Sequence, residues 1–236
     1  YTYYGQSWAR PGDLYKDDVY FDKKNRGKND EAKYTIVDAE RFININNADE
    51  ELLKNVKAIK PGLLRKIHHR LREHDDKDED SAPFAELEEL RYLEGVEEDD
   101  WFGTDRHAGL VDVLTVVGSN RVNVNTASED VLKAIPGIKA EGAKKIIDYR
   151  NGDDGKEGTA DDRAFINLED IRSKLGLESG AQELGKYCAV DSTCFIITGT
   201  ATKQGGKVRA SCTVTVNAPA GGEVNVVSWK EEPFGA

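Results

Sequence analysis

Methionine is missing from the 236-residue sequence, and no stretch approaches the ~18 consecutive apolar residues that a membrane-spanning helix requires. The chain opens on YTYYGQSWAR, which lacks the charged and apolar regions of a signal peptide. Because Tyr1 is not a natural translation start, we interpret the chain as a trimmed or processed product whose N-terminal segment is missing. Hydrophobic residues make up 38% and charged residues 33%, which is typical of a folded globular protein.

The sequence also lacks a surplus of basic residues, since its formal net charge is −11 at pH 7. Nucleic-acid binders need basic surface to displace counterions, so this charge argues against generic binding of nucleic acid. The acidic residues concentrate in three runs, HDDKDED (74–80), EGVEEDDW (94–101) and NGDDGKEGTADD (151–162). We expect the first two runs to be solvated loops.

Cysteine is scarce. Cys188, Cys194 and Cys212 lie in the last quarter of the chain without CxxC spacing or a neighbouring histidine, which argues against a zinc site. One disulfide with one remaining thiol would suit an oxidising compartment, and the sequence leaves open which pair forms.

Enzyme signatures are absent as well. His68, His69, His74 and His107 show no HExxH spacing and no companion carboxylate pattern, so we expect these side chains to face solvent. The sequence has no G-x-S-x-G elbow, no glycine-rich phosphate loop and no paired cysteine and histidine. It therefore predicts no catalytic residue and no enzymatic activity.

The most informative feature present is an internal repeat. FININ precedes NADEELLKNVKAIKPGLLRKIHHRL, and RVNVN precedes TASEDVLKAIPGIKAEGAKKIIDYR. The copies align without a gap from Asn46 and Asn125, 79 residues apart, through Leu71 and Arg150. After an acidic loop each copy continues into a similar second piece, PFAELEELRYLEGV (83–96) or AFINLEDIRSKLGL (164–177).

Each copy has the layout of a short strand followed by a helical hairpin. In the first copy Ile43 and Ile45 alternate with asparagines, the period of a strand. Asn47 and Thr126 are the predicted N-caps, and Glu50 or Glu129 three residues later completes a capping-box pattern. Helices over 86–93 and 168–175 are expected to cover the hairpins.

The two ends of the sequence predict strands. Residues 32–46 show the pattern of a strand, a turn and a second strand, and residues 194–218 that of a β-hairpin around Gln204-Gly205-Gly206. Residues 221–232 add a further short strand. The economical arrangement is one sheet assembled from both ends, with the helical repeats inserted between them.

The second copy resembles a helix-hairpin-helix unit, especially that of competence-type DNA receptors. In that family, backbone N–H groups of a G-[IV]-G turn contact a DNA phosphate. Here the turn is Pro136-Gly137-Ile138-Lys139, without the second glycine, and the first copy has Lys57-Ala58-Ile59-Lys60. A competence-type DNA-binding protein is therefore the alternative function, and a helical scaffold is favoured because the surroundings are acidic.

The chain as a whole resembles the K-type minor pseudopilins of bacterial type II secretion systems more closely. That family enters its first helical insert through D-[EA]-x-x-x-x-N-x-N, here DAERFININ (38–46). A GLxDxLTV segment follows, here GLVDVLTV (109–116), and NVNTA (123–127) enters the second insert. Trp229 near the C-terminus completes a likeness that spans roughly residues 34–230.

This resemblance implies a non-enzymatic component that caps the tip of the pseudopilus and initiates its assembly with I- and J-type minor pseudopilins. It implies the periplasmic domain of an inner-membrane-anchored protein, attached only through a missing N-terminal helix, with no nucleic-acid partner. The predicted fold is α+β, a pilin-like antiparallel sheet with two inserted, repeated helical units of SAM-like or helix-hairpin-helix-like type. The predicted division is a discontinuous β domain (1–46 and 178–236), a first insert (47–103), a connector (104–120) and a second insert with the acidic loop (121–177).

The acidic loop of residues 151–162 is the candidate metal site. Calcium takes six to eight oxygen ligands from carboxylates and carbonyls, and glycines allow a loop to curl around the ion. The loop lacks the EF-hand pattern but is similar to the DG-x-x-G loop that binds calcium in major pseudopilins. An acidic surface turn is the alternative. The predicted calcium ligands are Asp153, Asp154, Asp161 and Asp162.

Aromatic residues crowd the first 21 positions, namely Tyr1, Tyr3, Tyr4, Trp8, Tyr15, Tyr20 and Phe21. We expect them to pack against the edge of the sheet, and a contact surface for neighbouring subunits is the alternative because Tyr and Trp favour interface cores.

Overall fold

The structure is a computed structural model that describes residues 1–9, 31–72, 83–176, 181–203 and 208–234. The predictions for His74, for the acidic run 74–80 and for Tyr15, Tyr20 and Phe21 lie outside these residues. The strands are β1 Glu31–Asp38, β2 Ile43–Asn44, β3 Gly103–Thr104, β4 His107–Ala108, β5 Leu114–Thr115, β6 Val122–Asn123, β7 Cys188–Ala189, β8 Cys194–Lys203, β9 Val208–Asn217 and β10 Asn225–Phe234. The α-helices are α1 Glu50–Leu53, α2 Pro61–Arg72, α3 Glu98–Phe102, α4 Leu110–Val113, α5 Glu129–Ala134, α6 Lys139–Arg150, α7 Leu168–Leu175 and α8 Ala181–Tyr187.

The largest sheet is antiparallel and has the order β1-β8-β9-β10. Its strands are rich in β-branched residues, which pack well on a pleated surface. The predicted hairpin is confirmed as β8 and β9, and β10 is a ten-residue strand where a short one was expected. Both helical regions lie between β1 and β8 in the sequence, so the fold is α+β with a sheet built from both sides of the helical part.

The register of this sheet separates an apolar face from a polar face. Ile36 pairs with Ile197, which pairs with Val214, which pairs with Trp229. Paired residues share a face, so the apolar face carries Ala32, Tyr34, Ile36, Phe195, Ile197, Ala201, Ala210, Cys212, Val214, Val216, Val226 and Trp229. Two carboxylates share this face, Asp38 at the end of β1 and Glu231 on the edge strand β10. The neighbouring rows form the polar face, which includes Lys33, Thr35, Thr198, Thr200, Ser211, Thr213 and Lys230.

Two short parallel strand pairs frame the helical regions. Strand β2 pairs with β5, and β6 pairs with β7. Parallel neighbours need a crossover connection, and here the connections contain helices α1 to α4 in one case and α5 to α8 in the other. We call residues 43–115 the first helical unit and residues 122–189 the second helical unit.

An asparagine side chain closes each unit in the same way. Asn46 Oδ1 accepts the Phe84 N–H at 2.8 Å, and Asn46 Nδ2 donates to the Phe84 carbonyl at 2.9 Å and the Val116 carbonyl at 3.2 Å. Asn125 makes the corresponding bonds to the N–H and carbonyl of Phe165, at 2.8 and 3.0 Å, and to the carbonyl of Val190 at 3.0 Å. Each asparagine therefore ties the strand before the hairpin to the piece that follows the acidic loop.

The predicted helix caps are wrong by two residues. The N-cap of α1 is Asp49, whose side chain accepts the Leu52 N–H, and the N-cap of α5 is Ser128, whose side chain accepts the Val131 N–H. The chain first makes a turn, in which the N–H of Asn47 or Thr126 bonds to the carbonyl three residues earlier. Because that turn uses the residues after the strand, each helix begins later than its capping-box pattern indicates.

One continuous hydrophobic core runs through both helical units and includes Leu53, Ile67, Leu132, Ile146 and Phe165. A side-chain bond from Asn55 Nδ2 to the Ala134 carbonyl, at 3.0 Å, crosses between the units. The covering helix 168–175 is confirmed as α7, whereas its counterpart in the first unit is the 3₁₀ helix Leu87–Tyr92.

The acidic run 94–101 is not the solvated loop we expected. Its residues enter helix α3, in which Asp100 and Trp101 are buried. Lys60 Nζ lies 2.8 Å from the Asp100 carboxylate, and the Glu97 N–H also bonds to that carboxylate. These partners compensate for the burial of the Asp100 charge.

The expected disulfide is also wrong, because all three cysteines are free. Cys194 pairs with Asn217 on the polar face of the sheet, while Cys212 pairs with Gly199 on the apolar face. Side chains on opposite faces point away from one another and cannot form a disulfide. Cys188 is buried in β7, and burial raises the pKa of its thiol to about 12.

Candidate functional site

The junction between the large sheet and the second helical unit is built on a buried carboxylate. Asp38, the last residue of β1, is fully buried and accepts hydrogen bonds from four donors. These are the Glu40 N–H at 2.8 Å, Asn123 Nδ2 at 3.0 Å, Thr126 Oγ1 at 2.6 Å and Ser192 Oγ at 2.7 Å. Burial raises the pKa of Asp38, while these hydrogen bonds act in the opposite direction.

The neighbouring Glu40 extends the same junction. It is buried, and its two oxygens accept the N–H groups of Ser119, at 3.0 Å, and Thr193, at 2.9 Å. The first residue after β7 and the N-terminal segment also meet here, because the Thr2 N–H bonds to the Val190 carbonyl at 2.8 Å. The sheet is thus tied to the helical part by Asp38 and Glu40, which lie in the DAERFININ segment, although nothing in the sequence indicated their partners.

The apolar face of the sheet is a candidate interaction surface. Trp229 is 61% exposed and Val226 is 62% exposed, while Ile36, Ile197 and Val214 are half-buried. A groove of about 560 Å³ runs over the small residues of this face, which include Ala32, Gly199, Ala201 and Ala210. Contiguous exposed apolar surface of this kind marks a place where another element or protein packs.

The N-terminal aromatic residues that the structure describes reach one end of this face. The Trp8 ring packs edge-on against Phe195, with the ring centroids 5.3 Å apart. Tyr4 lies under the Arg41 guanidinium, and burial raises its pKa. This placement agrees with the expected packing of the aromatic segment against the sheet.

The acidic loop gathers three of the four predicted calcium ligands around one hydroxyl group. Thr159 Oγ1 lies 2.7 Å from Asp161 Oδ1 and 3.3 Å from an oxygen of both Asp154 and Asp162. The fourth aspartate, Asp153, instead binds Arg163 Nη2 at 2.6 Å. The loop thus presents carboxylate and hydroxyl oxygens, and oxygen atoms are the ligands that calcium prefers.

Hydrogen bonds inside the loop already satisfy part of this charge. The Thr159 hydroxyl and the N–H groups of Asp154 and Asp153 lower the pKa of Asp161 to about 2. Across the parts of the chain that the structure describes, no three His, Cys, Asp or Glu side chains are grouped as a ready metal-ligand set. A bound ion would therefore replace some of these internal contacts.

The histidines differ from the expectation that they face solvent. His69 is exposed, but His68 and His107 are half-buried. The Nε2 atom of His68 has no contact with solvent and no hydrogen-bond partner. A position on the helix α2 face toward the core explains the burial, because Ile67 and Leu71 flank it.

The hairpin turn of the second unit keeps the backbone of a two-glycine turn. Gly137 has φ of 89°, and Lys139, at the position of the absent second glycine, has φ of 54°. Lys139 is the one non-glycine residue with positive φ among those the structure describes. This is a backbone conformation that normally favours glycine.

Comparisons with known proteins agree with both sequence resemblances at the level of fold. A family model described as a helix-hairpin-helix motif matches residues 117–155. One chain of the crystal structure of the GspK-GspI-GspJ complex from the enterotoxigenic Escherichia coli type 2 secretion system superposes with a TM-score of 0.59. The alignment covers 89% of this chain and 82% of that chain, at 12% sequence identity. The two chains share a fold.

At this identity the likeness shows the mixed α and antiparallel β fold, not an activity. None of the curated proteins compared with the chain matches it significantly in sequence. No helix in the described parts of the chain is long and apolar enough to cross a membrane.

Proposed function

We propose that this chain is the periplasmic domain of a K-type minor pseudopilin, a non-enzymatic protein that caps the tip of a type II secretion pseudopilus and initiates its assembly. One observation carries the proposal: both helical units are inserted between the first two strands, β1 and β8, of a pilin-like sheet. The shared fold with a chain of the GspK-GspI-GspJ complex extends over almost the whole chain and supports the same assignment.

The two helical units are, in this proposal, two copies of one module. The matching hydrogen bonds of Asn46 and Asn125 join corresponding residues, Phe84 and Phe165, with nearly equal lengths. Each unit also begins and ends in a parallel strand pair. Two unrelated units could share these contacts by chance, but their sequences would not then also align over the same segments.

The position at the tip follows from steric reasoning. A filament subunit in the middle of a stack has neighbours above and below, and these neighbours leave little room for large insertions. The helical units account for residues 43–115 and 122–189, most of the chain. A subunit with neighbours on only one side accommodates them, and its partners would be I- and J-type minor pseudopilins.

The apolar face of the sheet would receive the N-terminal hydrophobic helix that anchors pilin-like proteins in the inner membrane. Its row of small residues, Ala32, Gly199, Ala201 and Ala210, allows a helix to approach closely. The exposed Trp229 and Val226 would then become buried. Burying one such side chain stabilises a protein by roughly 1.5–3 kcal/mol.

Copurification with I- and J-type minor pseudopilins tests the proposal. We expect the anchored protein carrying Val214→Asp, on the apolar face, to lose recovery with these partners, because a charge on that face opposes packing. Thr213→Asp on the polar face is the matched control and should leave recovery unchanged. Normal copurification of the Val214→Asp protein would contradict the role of this face, and no copurification of the unaltered protein would reject the function.

Calcium is part of the proposal. Asp154, Asp161 and Asp162 would hold the ion together with backbone carbonyl groups of the loop, and Asp153 would join them only by leaving Arg163. The ion would neutralise carboxylates that otherwise repel each other, and so fix the loop.

Thermal unfolding with calcium and with EGTA tests the metal site. We expect calcium to raise the midpoint of the unaltered protein and to leave the midpoint of an Asp161→Ala variant unchanged. Glu157→Gln, which removes a loop carboxylate outside the proposed ligand set, is the control. An equal midpoint in calcium and EGTA for the unaltered protein would remove calcium from the proposal.

DNA binding is the second candidate function, because the helix-hairpin-helix motif model matches residues 117–155 and Lys139 keeps the turn conformation. The net charge of −11 opposes it. We expect no duplex binding at physiological salt. Salt-dependent binding that is lost on changing Gly137 or Lys139 would favour this alternative over the secretion role.

A further inference from the structure

The groove on the apolar face of the large sheet has a floor of small residues between two larger side chains. Gly199 of β8 and Cys212 of β9 pair in the middle of the sheet. Tyr34 of β1 pairs with Gly199, and Glu231 of β10 pairs with Cys212. All four residues line the groove of about 560 Å³. We call Tyr34 and Glu231 the walls of the groove, which therefore runs along the two central strands.

The width of the groove suits one α-helix. The sheet has four strands, so the two edge strands lie three strand spacings apart, which is about 14 Å. An α-helix with its side chains is about 10–12 Å across. The small floor residues, which include Gly199, Ala201 and Ala210, allow a helix to approach the sheet closely. One helix therefore fits between the walls, and two side by side do not.

One wall carries a carboxylate that is only partly paired. Trp229 Nε1 donates to Glu231 Oε1 at 3.0 Å, which sets the indole ring beside the carboxylate. Both residues are exposed, and Glu231 makes no salt bridge within the part of the chain that the structure describes. Lys33, the other charged residue of the lining, belongs to β1 at the opposite edge of the sheet. A cation beside this wall would meet a carboxylate and an aromatic ring together.

A helix that covered this wall with apolar side chains alone would bury the Glu231 carboxylate against them. A carboxylate has about four lone-pair sites, and the Trp229 N–H occupies one of them. Burying a charge is costly unless the charge is paired and hydrogen-bonded. Lys and Arg supply the missing donors, because their apolar stems lie along a groove while their charged ends reach its rim. The Trp229 ring adds a cation–π attraction at the same place.

We propose that the occupant of this groove is an α-helix with a Lys or Arg side chain set against Glu231 and Trp229. The occupant is the N-terminal hydrophobic helix that the proposed function places on this face, so the inference rests on that function. The cation sets the position of the helix along the sheet, because only one position brings the charge to Glu231. Charge complementarity supports a basic residue, since the chain has a net charge of −11.

NMR titration with two helical peptides tests the proposal on the chain itself. Each peptide is an alanine-leucine helix of about 18 residues, with glutamines on its outer side for solubility. One carries arginine at the edge of its apolar stripe, and the other carries citrulline, which has nearly the same shape without the charge. We expect both to shift the amide resonances of Gly199 and Cys212 and the indole N–H of Trp229. The arginine peptide should bind about fivefold more tightly, through a partly exposed charge pair and a cation–π contact.

Two substitutions with the same change of charge locate the effect. Glu231→Gln should bind the two peptides equally. Glu223→Gln, in the exposed loop before β10 and outside the lining of the groove, is the matched control and should keep the preference for arginine. Loss of the preference in both variants would show that the net charge of the chain, and not the wall of the groove, selects the cation, and would overturn the proposal.

The outcomes separate this inference from the function on which it rests. Equal affinity of the two peptides for the unaltered protein would overturn the charge contact and leave a helix on this face. Glu231 would then serve only to discourage strand pairing at the sheet edge. Shifts at none of the three reporter groups would also overturn the inference, while copurification with I- and J-type minor pseudopilins still decides the function. A concentration-dependent dimer with the same groups shifted would place a second copy on this face instead, and would overturn the choice of a helix.

Discussion

The side chains of Asn46 and Asn125 each make hydrogen bonds to backbone groups of a facing residue, as a neighbouring strand would. A primary amide can donate and accept at once, so one side chain satisfies both the N–H and the carbonyl of a facing residue. Phe84 and Phe165, the residues held in this way, are buried and place an aromatic ring in the core. The asparagine therefore fixes the position of a phenylalanine far away in the sequence.

We predict that Asn125→Ala lowers the free energy of unfolding by about 3 kcal/mol, because it leaves buried N–H and carbonyl groups of Phe165 and Val190 without a partner. Urea denaturation measures the change. Asn120→Ala, in an exposed position of the preceding loop, is the control and should change the stability by less than about 0.5 kcal/mol. Equal effects of the two substitutions would contradict the stabilising role of the Asn125 side chain.

The pH dependence of the acidic loop should follow Asp161. Its pKa is lowered from 3.8 to about 2, so its contribution to loop order is complete above the unfolded pKa and is lost as pH falls through about 2. The amide resonances of Asp153 and Asp154, which bond to this carboxylate, should titrate with a midpoint near 2 by NMR. In Asp161→Asn that titration should disappear, and a midpoint near 3.8 in the unaltered protein would contradict the prediction.

At the scale of elements, the two helical hairpins make the turn between their helices with different sequences. The second unit makes its turn with Pro136 and Gly137 and holds Lys139 at φ 54°. Residues with a side chain rarely adopt this backbone conformation, whereas glycine adopts it freely. The turn therefore carries a local strain that the rest of the hairpin offsets.

We predict that Lys139→Gly stabilises the protein by up to about 1 kcal/mol, because glycine removes the strain of positive φ. Lys144→Gly, at an exposed position inside α6, is the matched control and should destabilise by about 1 kcal/mol. Thermal unfolding of both variants measures the difference. A destabilising Lys139→Gly of the same size as the control would show that the turn is not strained.

The sequence was sufficient to predict elements that depend on local pattern. The alternation in 194–218 predicts the β8 and β9 hairpin, and the matching segments predict two helical regions between the ends of the chain. The positions of the caps at Asp49 and Ser128 were missed, because a turn follows the strand in each unit before the helix begins. In the second unit a tertiary bond also draws the Thr126 hydroxyl to Asp38. Long-range partners of this kind leave no signal in the neighbouring residues.

The same distinction between local and long-range contacts applies to the candidate site. The loop chemistry of Asp154, Asp161 and Asp162 could be predicted because it depends on neighbours in sequence. The buried contacts of Asp38 and Arg150 could not, since their donors and acceptors come from distant segments and from backbone carbonyls. Comparison of position 150 with position 71 in the two copies could have drawn attention to Arg150, because a cation replaces a leucine there.

At the scale of the whole molecule, the hydrogen bonds to Asp38 couple the unfolding of the sheet to that of the second helical unit. Four donors from three separate segments surround one carboxylate. Removing any one donor leaves a buried charge less well satisfied. The junction should therefore unfold together with both the parts it joins.

We predict that Thr126→Val and Ser192→Ala each lower the stability by about 1–3 kcal/mol, since each removes a donor to a buried charge. Because both hydroxyl groups bond to the same oxygen of Asp38, the double variant should differ from the sum of the single effects by at least about 0.5 kcal/mol. A double-mutant cycle by urea denaturation measures this coupling, and strict additivity would count against a shared network. Thr104→Val, at an exposed position far from the carboxylate, is the control.

The insertion of both helical units between β1 and β8 has a consequence for the order of folding. The hairpin of β8 and β9 closes locally, whereas Asp38 meets Phe195 only after the chain has returned across both units. Closing so long a loop carries an entropic cost that falls once the intervening units are compact. β1 should therefore join last, and until it does, the edge of β8 stays open to strands of other molecules.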